Sequence, residues 1–363
     1  MSSKRNDLLN RLNGKVGPLP FFADLSYYYF SRKCLGKLPR QFEGINGEIA
    51  FYKQHDAGMY ILESFPFPFH IHFTNNVKYE EKRDREGMFA VYQTEIGTLT
   101  SYQRFLEFSF AYTEHFIKCV EDLFIMAHIF ESMRYSPNYA QVTEADEKVG
   151  DAGFLLAAAP ICVAPVQKLL SRWAGVEKTV ELFCDYPDEF TECVTRMENA
   201  QNDVISILAK CPLEIIAFPE NLSSEVSGHF FTQHNMPYYK RVNEYLHSYG
   251  KRTAIHIDGT LKPCLSKLHN AGFDIAEAIT PDPVGDLKPE DLRACAGPEI
   301  ILWGGLPGSL FTSQFSEKEF CDYVVRMINL NDPKFILGVG DQVPPDTVEG
   351  RIRLVSQIIK RNR

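Results

Sequence analysis

The apolar run TAIHIDG, residues 253–259, ends in a histidine, one intervening residue, an aspartate and a glycine. In an extended strand, residues i and i+2 face the same side, so His256 and Asp258 would point together from the strand end. An imidazole and a carboxylate so placed suit a Zn2+ ion, with bonds of about 2.0–2.2 Å. The pair needs a third ligand, and Glu220 and Asp341, each closing another apolar run, are the candidates. The plainer alternative is that Asp258 caps the following turn while His256 hydrogen-bonds a backbone carbonyl.

Other residues with chemistry stand at comparable places. Asp24 closes PLPFFAD (18–24), Glu63 lies at the end of GMYILES (58–64), Asn221 follows Glu220, and Glu277 sits inside DIAEAIT (274–280). Aromatic residues crowd behind the first two runs: Tyr27, Tyr28, Tyr29 and Phe30 after one, Phe65, Phe67 and Phe69 after the other. Aromatic walls suit a small aromatic or apolar ligand, and tyrosine hydroxyls can orient it, which singles out Tyr27 and Tyr28. His70, His72, His229 and His234 lie away from any predicted strand end and read as surface or core residues.

The elements that would position these groups follow a rhythm. Eight apolar runs, at 18–24, 58–64, 153–160, 213–220, 253–259, 274–280, 299–305 and 335–341, alternate with loop signals and helical patterns. Near-continuous apolar runs indicate strands buried on both faces, as in a parallel sheet. The helical patterns cover 187–210, 235–251, 261–272, 316–330 and 347–362, and the fourth opens with a Ser-x-x-Glu capping signature. Eight strand–helix units imply an α/β chain forming a (β/α)8 TIM barrel, which gathers its active site at the C-terminal strand ends. A doubly wound sheet is the weaker choice, because no Gly-x-Gly-x-x-Gly follows the first strand. Residues 70–105 alternate polar and apolar around charged turns, which predicts a β-hairpin insertion after the second strand, followed by a long helix over 106–131. The expectation is one domain over 1–363. The turn PDPVGDL (281–287) reads as structural, with Asp286 as a cap.

Composition narrows the function. A net charge of −9 and the lack of any basic block argue against nucleic acid. No run approaches the roughly 20 apolar residues of a membrane helix, and the polar N-terminus lacks the apolar core of a signal peptide. The nine cysteines, Cys162 among them, form no C-x-x-C pair, as expected of reduced thiols in a cytoplasmic protein.

The ordered segments FPEN, HIDG, EAITPDPVGDL, WGGLPG and FILGVGDQVPPDT resemble the uroporphyrinogen decarboxylase superfamily, best over residues 150–363. That superfamily has a (β/α)8 barrel and includes zinc-dependent methyltransferases that work with corrinoid proteins. In those enzymes the fifth strand ends in His-x-Cys-Gly and a second cysteine follows the last strand. Here His256 is kept, while Asp258 and Asp341 stand at the cysteine positions. The pattern is similar to relatives that demethylate phenyl methyl ethers with a histidine and carboxylates as ligands, where Glu220 would also fit.

The resemblance thus implies a metal-dependent methyltransferase. Zinc on His256, with Glu220, Asp341 or Asp258, would activate an O-methyl aromatic substrate, and the methyl group would pass to a cobalt(I) corrinoid on a partner protein. Glu277 or a tyrosine would serve as acid, and Tyr27, Tyr28, Asn221 and Glu63 would line the substrate site. The decarboxylase's own substrate fits poorly, because Asp24 and three tyrosines occupy the place of its arginine-bearing segment. Two alternatives remain: a metal-free decarboxylase of a smaller substrate with Asp24 as proton donor or amine-binding group, and a non-catalytic ligand-binding barrel.

Overall fold

The computed structural model describes residues 3–15, 17–63, 66–159 and 164–362. Phe65, Pro160 and Cys162 lie outside the described residues. Among the described residues twelve strands occur in chain order: β1 (Phe69–Phe73), β2 (Lys78–Arg83), β3 (Gly87–Thr94), β4 (Gly97–Leu106), β5 (Ser109–Glu114), β6 (Met133–Pro137), β7 (Ala157–Ala158), β8 (Ile215–Leu222), β9 (Arg252–Ile257), β10 (Ile275–Ile279), β11 (Ile301–Pro307) and β12 (Phe335–Gly340). β7 to β12 pair in sequence order as a six-stranded sheet, and each pairing is parallel.

Two short extended segments join the edges of this sheet. Phe21 bridges Leu337 of β12, Phe22 bridges Gly58, and Met59 bridges Gly153, all in parallel. Backbone bonds follow the same path: Phe22 N–H to the Leu337 carbonyl, Gly58 N–H to Phe21, Phe154 N–H to Met59 and Leu156 N–H to Tyr60. The bridges thus run from one edge round to the other in the circular order expected of an eight-stranded parallel barrel. Gly338 permits the closure, since a Cβ there would stand 2.5 Å from the Phe22 carbonyl oxygen.

Burial explains the apolar runs. One cluster gathers Phe22, Tyr60, Phe154, Leu156, Ile215, Ala254, Ile275, Ile301, Trp303 and Ile336, side chains that alternate along the strands and fill the interior. A larger cluster, including Phe218, Ile255, Ile257, Tyr239, Phe273 and Phe320, packs the outer strand faces against helices. Each such fully buried Ile or Phe contributes about 1.5–3 kcal/mol.

The insertion is larger than the sequence pattern suggests. β2, β3, β4 and β5 form an antiparallel four-stranded sheet that runs to Glu114. Expected helix over 106–131 is therefore replaced: Glu107 adopts φ 52, the chain turns back as β5, and the helix covers only Val120–Glu131. β1 pairs instead with β6. The helical pattern at 187–210 is split at Gln201 into Pro187–Ala200 and Asn202–Ala209. The pattern at 261–272 yields only a 3-10 turn at Leu265–Lys267, where Asp286 accepts hydrogen bonds from the Leu261 and Lys262 N–H groups. The expected capping box is present, with Ser316 and Glu319 bonded reciprocally at the start of Glu317–Asn329.

Candidate functional site

Three non-glycine residues with left-handed backbone mark the C-terminal rim of the barrel: Asn221 (φ 47) in β8, Ala278 (φ 67) in β10 and Asp341 (φ 66) just past β12. Such conformations cost about 1–3 kcal/mol each and collect where a site constrains the chain. At Ala278 the β10–β11 register shifts, and Gly304 faces it because a Cβ there would press to 2.7 Å on the Ile279 backbone. At Asp341 the backbone turns the carboxylate toward β9. His256 Nε2 lies 3.5 Å from Asp341 Oδ1.

β9 and the residue just past its end supply the other two groups. His256 and Asp258 project with Asp341 so that one ligand atom from each lies within 4.8 Å of the others. Asp258 is fixed at the strand end by its N–H bond to the Leu222 carbonyl. His256 pairs in register with Glu277 of β10, so both side chains face the interior. Nδ1 of His256 lies 2.7 Å from Glu277 Oε2, and the Tyr60 hydroxyl donates to Glu277 Oε1 at 2.7 Å. With its Nδ1 proton committed to a carboxylate, an imidazole offers the Nε2 lone pair outward, the arrangement typical of metal-ligating histidines.

Charge in the cluster favours a bound cation. Burial opposes a charged His256, but the Glu277 and Asp341 carboxylates outweigh it and hold the imidazole well above its ordinary pKa, so a metal at Nε2 would displace a proton there. Burial raises the Asp258 carboxyl, with His256 opposing and Asp341 and Glu277 adding to the rise. One imidazole nitrogen and two carboxylates form a borderline-to-hard donor set that zinc and other divalent transition metals accept, so these residues fit a metal.

Placement of the remaining candidates is mixed. Asp24 is buried at the rim; its oxygens accept from the Ser26 N–H at 2.7 Å and the Gln342 amide at 3.1 Å. Burial pushes its carboxyl up to about 6. A recess of about 270 Å³ is lined by Asp24, Tyr27, Phe30, Glu63 and Gln342 among others. Glu63 also pairs with Lys33 at 2.9 Å. Asn221 is exposed at the rim, and its carbonyl accepts from Gln167 at 3.4 Å.

Two candidates are corrected. Glu220 does not join the ligand group. The bulge in β8, where Phe218 to Leu222 match only Ile255 to Ile257, adds an even number of residues, so Glu220 shares the outward face of Phe218 and Leu222. Its Oε1 accepts from the Ala164 N–H, and it lies beside Tyr239, whose ring packs with Phe218 and Phe273 on the helix side of the sheet. Burial there pushes its carboxyl up to about 8. Tyr28 is 3% exposed, with its ring against Phe51 and His55 and its hydroxyl accepting from Arg32, so it belongs to the core. Glu277, expected as an acid, has both oxygens engaged and holds His256.

Sequence reading passes over Tyr60 and Gln342. Tyr60 sits in an apolar run that hides its hydroxyl, and its signal is a polar-tipped ring at an inward strand position. Gln342 directly follows Asp341, and only the folded turn brings it to Asp24. The eight described cysteines are free thiols, and among the described residues no helix is long and apolar enough to cross a membrane.

Comparison with known proteins fits this architecture. A methyltransferase from Methanosarcina mazei superposes with a TM-score of 0.61 at 12% identity, covering 100% of this chain and 99% of the other. A protein assigned as a vitamin-B12-independent methionine synthase from Listeria monocytogenes gives a TM-score of 0.42 at 10% identity, covering 95% of this chain and 96% of the other. No curated protein matches in sequence. The family model for uroporphyrinogen decarboxylase (URO-D) matches residues 141–361. That span is more than half of the sequence and holds β8 to β12 with His256, Asp258, Glu277 and Asp341, so the chain belongs to the uroporphyrinogen decarboxylase family.

Proposed function

We propose that the protein is a metal-dependent methyltransferase that binds a methylated substrate, an O-methyl aromatic compound, and delivers the methyl group to a cobalt(I) corrinoid on a partner protein. The observation that carries this reading is the convergence of His256, Asp258 and Asp341 at one strand-end rim. These three residues would hold the metal, zinc by the donor set, and a bound zinc supplies Lewis-acid polarisation of the ether oxygen. The rest of the task falls to the chain. Glu277 orients His256, Tyr27 and Phe30 give the recess an aromatic wall, and Asp24 holds or releases a proton near neutral pH. Positioning is the main requirement, since a reduced corrinoid is itself a strong nucleophile. The likeness to the Methanosarcina mazei methyltransferase supports the fold of this reading.

A polycarboxylate substrate is disfavoured by the mouth. Arg32 is turned onto the Tyr28 ring and hydroxyl, and Lys33 is paired with Glu63. Decarboxylation of a smaller substrate stays as a second reading because Asp24, buried with its carboxyl near 6, is placed to supply a proton.

Metal analysis of purified wild type beside His256→Ala is the test. Near one zinc per chain, lost in the variant, followed by a cobalt(I)-to-methylcobalt spectral change with a methoxylated phenol, is the expected result. A wild type that takes up no zinc after loading and removal of excess would refute the mechanism.

A further inference from the structure

We propose that Tyr60 is a positioning residue for His256 and acts on it through Glu277, an inference that rests on the reading of His256, Asp258 and Asp341 as a ligand set. The hydroxyl is placed by the barrel interior. Tyr60 is 2% exposed, and its ring packs on Trp303 with centroids 4.5 Å apart. Trp303 is fixed in turn by its indole N–H, which donates to the Phe22 carbonyl at 3.2 Å, and by an edge contact with the Phe22 ring. All three residues belong to the cluster that fills the barrel, so the anchor is packing and not a loop.

From that anchor the bonds run in one line. Tyr60 donates to Oε1 of Glu277, and Oε2 of Glu277 accepts from Nδ1 of His256, both at 2.7 Å. A carboxylate with each oxygen held by a different donor cannot rotate without giving up a bond. Its plane therefore dictates the plane of the imidazole, and with it the direction in which Nε2 meets Asp341 and Asp258. Without the hydroxyl, Oε1 would stand buried with no donor and Glu277 would be free to turn. Tyr60 does not line the recess, and its hydroxyl is already committed, so contact with substrate is not its role.

The experiment compares wild type, Tyr60→Phe, Glu277→Gln and the double variant. Zinc affinity is read by competition with a chromophoric chelator. The 15N spectrum of zinc-loaded, histidine-labelled protein reports how fast the His256 Nδ1 proton exchanges with solvent. Partners that orient a metal ligand are worth about 10–100-fold in affinity. Tyr60→Phe, which keeps the ring, is expected to weaken zinc about tenfold and to speed exchange of the Nδ1 proton. The double variant is expected to bind zinc no more weakly than Glu277→Gln alone. Additive losses would show that Tyr60 works by packing instead of through Glu277, and unchanged affinity and exchange in Tyr60→Phe would overturn the inference alone. A wild type that binds no zinc would bring down the ligand-set reading and this inference with it.

Discussion

Glu48 offers a direct check on the electrostatics behind the recess. It lies in the helix Gly44–Gln54, is 2% exposed, and accepts the Glu63 N–H at 2.8 Å, so it helps fix the segment that carries Glu63. Burial pushes its carboxyl from the ordinary 4.5 up to about 7; the Glu63 N–H and Lys33 counter this, while the Glu63 and Asp24 charges add to it. A raised folded-state pKa means that the native protein binds this proton more tightly than the unfolded chain. The associated stability is fully present below about pH 4.5, declines through the window from 4.5 to 7, and is gone above it. At 1.36 kcal/mol per unit, the shift corresponds to about 3 kcal/mol. Glu48→Gln keeps the acceptor for the Glu63 N–H and removes the charge at every pH. The variant should match wild type at pH 4 and exceed it by about 3 kcal/mol at pH 8 in urea denaturation. Equal stability of the two proteins at pH 8, or a less stable variant there, would refute the argument that this carboxyl is buried without adequate compensation.

Other outcomes follow from the same geometry. Asp258→Asn and Asp341→Asn should each weaken zinc binding at least tenfold in a chelator competition, since each removes one anionic ligand from a three-residue set. Glu220→Gln should keep the full zinc content of wild type and gain stability at pH 9, because its carboxyl sits on the helix side of β8 and is pushed up to about 8 by burial. Gly338→Ala should lower the melting temperature and cost about 1–3 kcal/mol or more by overpacking, as its Cβ would meet the Phe22 carbonyl at 2.5 Å.

The parts legible in the sequence are those governed by strict periodicity. Apolar runs at 274–280 and 335–341 became β10 and β12 almost to the residue, because a strand buried on both faces tolerates few polar side chains. His256 in β9 and Asp258 just past its end lie close together, as the i, i+2 spacing implies. Glu220 closes an apolar run, yet it lies two residues from both Phe218 and Leu222, which pack on the helix side, so alternation turns it away from the interior. Tyr28 and Tyr27 are adjacent and chemically alike, and only the helix Ser26–Cys34 decides that one turns to Phe51 while the other lines the recess. The link from Tyr60 to Glu277 spans 217 positions of sequence, beyond the reach of any local pattern. At 106–131, a turn at Glu107 let the chain continue as an antiparallel strand in a stretch whose composition also suits a helix.

Closure of the strand ring has a consequence for how the protein is born. The bridge between Phe21 and Leu337 joins residues near opposite ends of the chain, and Asp24 meets Gln342 across 318 positions. Contacts so distant in sequence form late, after the loop entropy between them has been overcome. Tyr60 comes from the first quarter of the sequence, His256 and Glu277 from either side of the three-quarter point, and Asp341 from the last few dozen residues. A nascent chain still tethered short of residue 341 therefore lacks Asp341, a proposed ligand, however well its middle has packed. On the proposed ligand set, metal capture would accordingly need residues from both ends of this sequence, and a fragment restricted to residues 141–361 would forfeit both Phe22 and the Tyr60 hydroxyl that bonds Glu277.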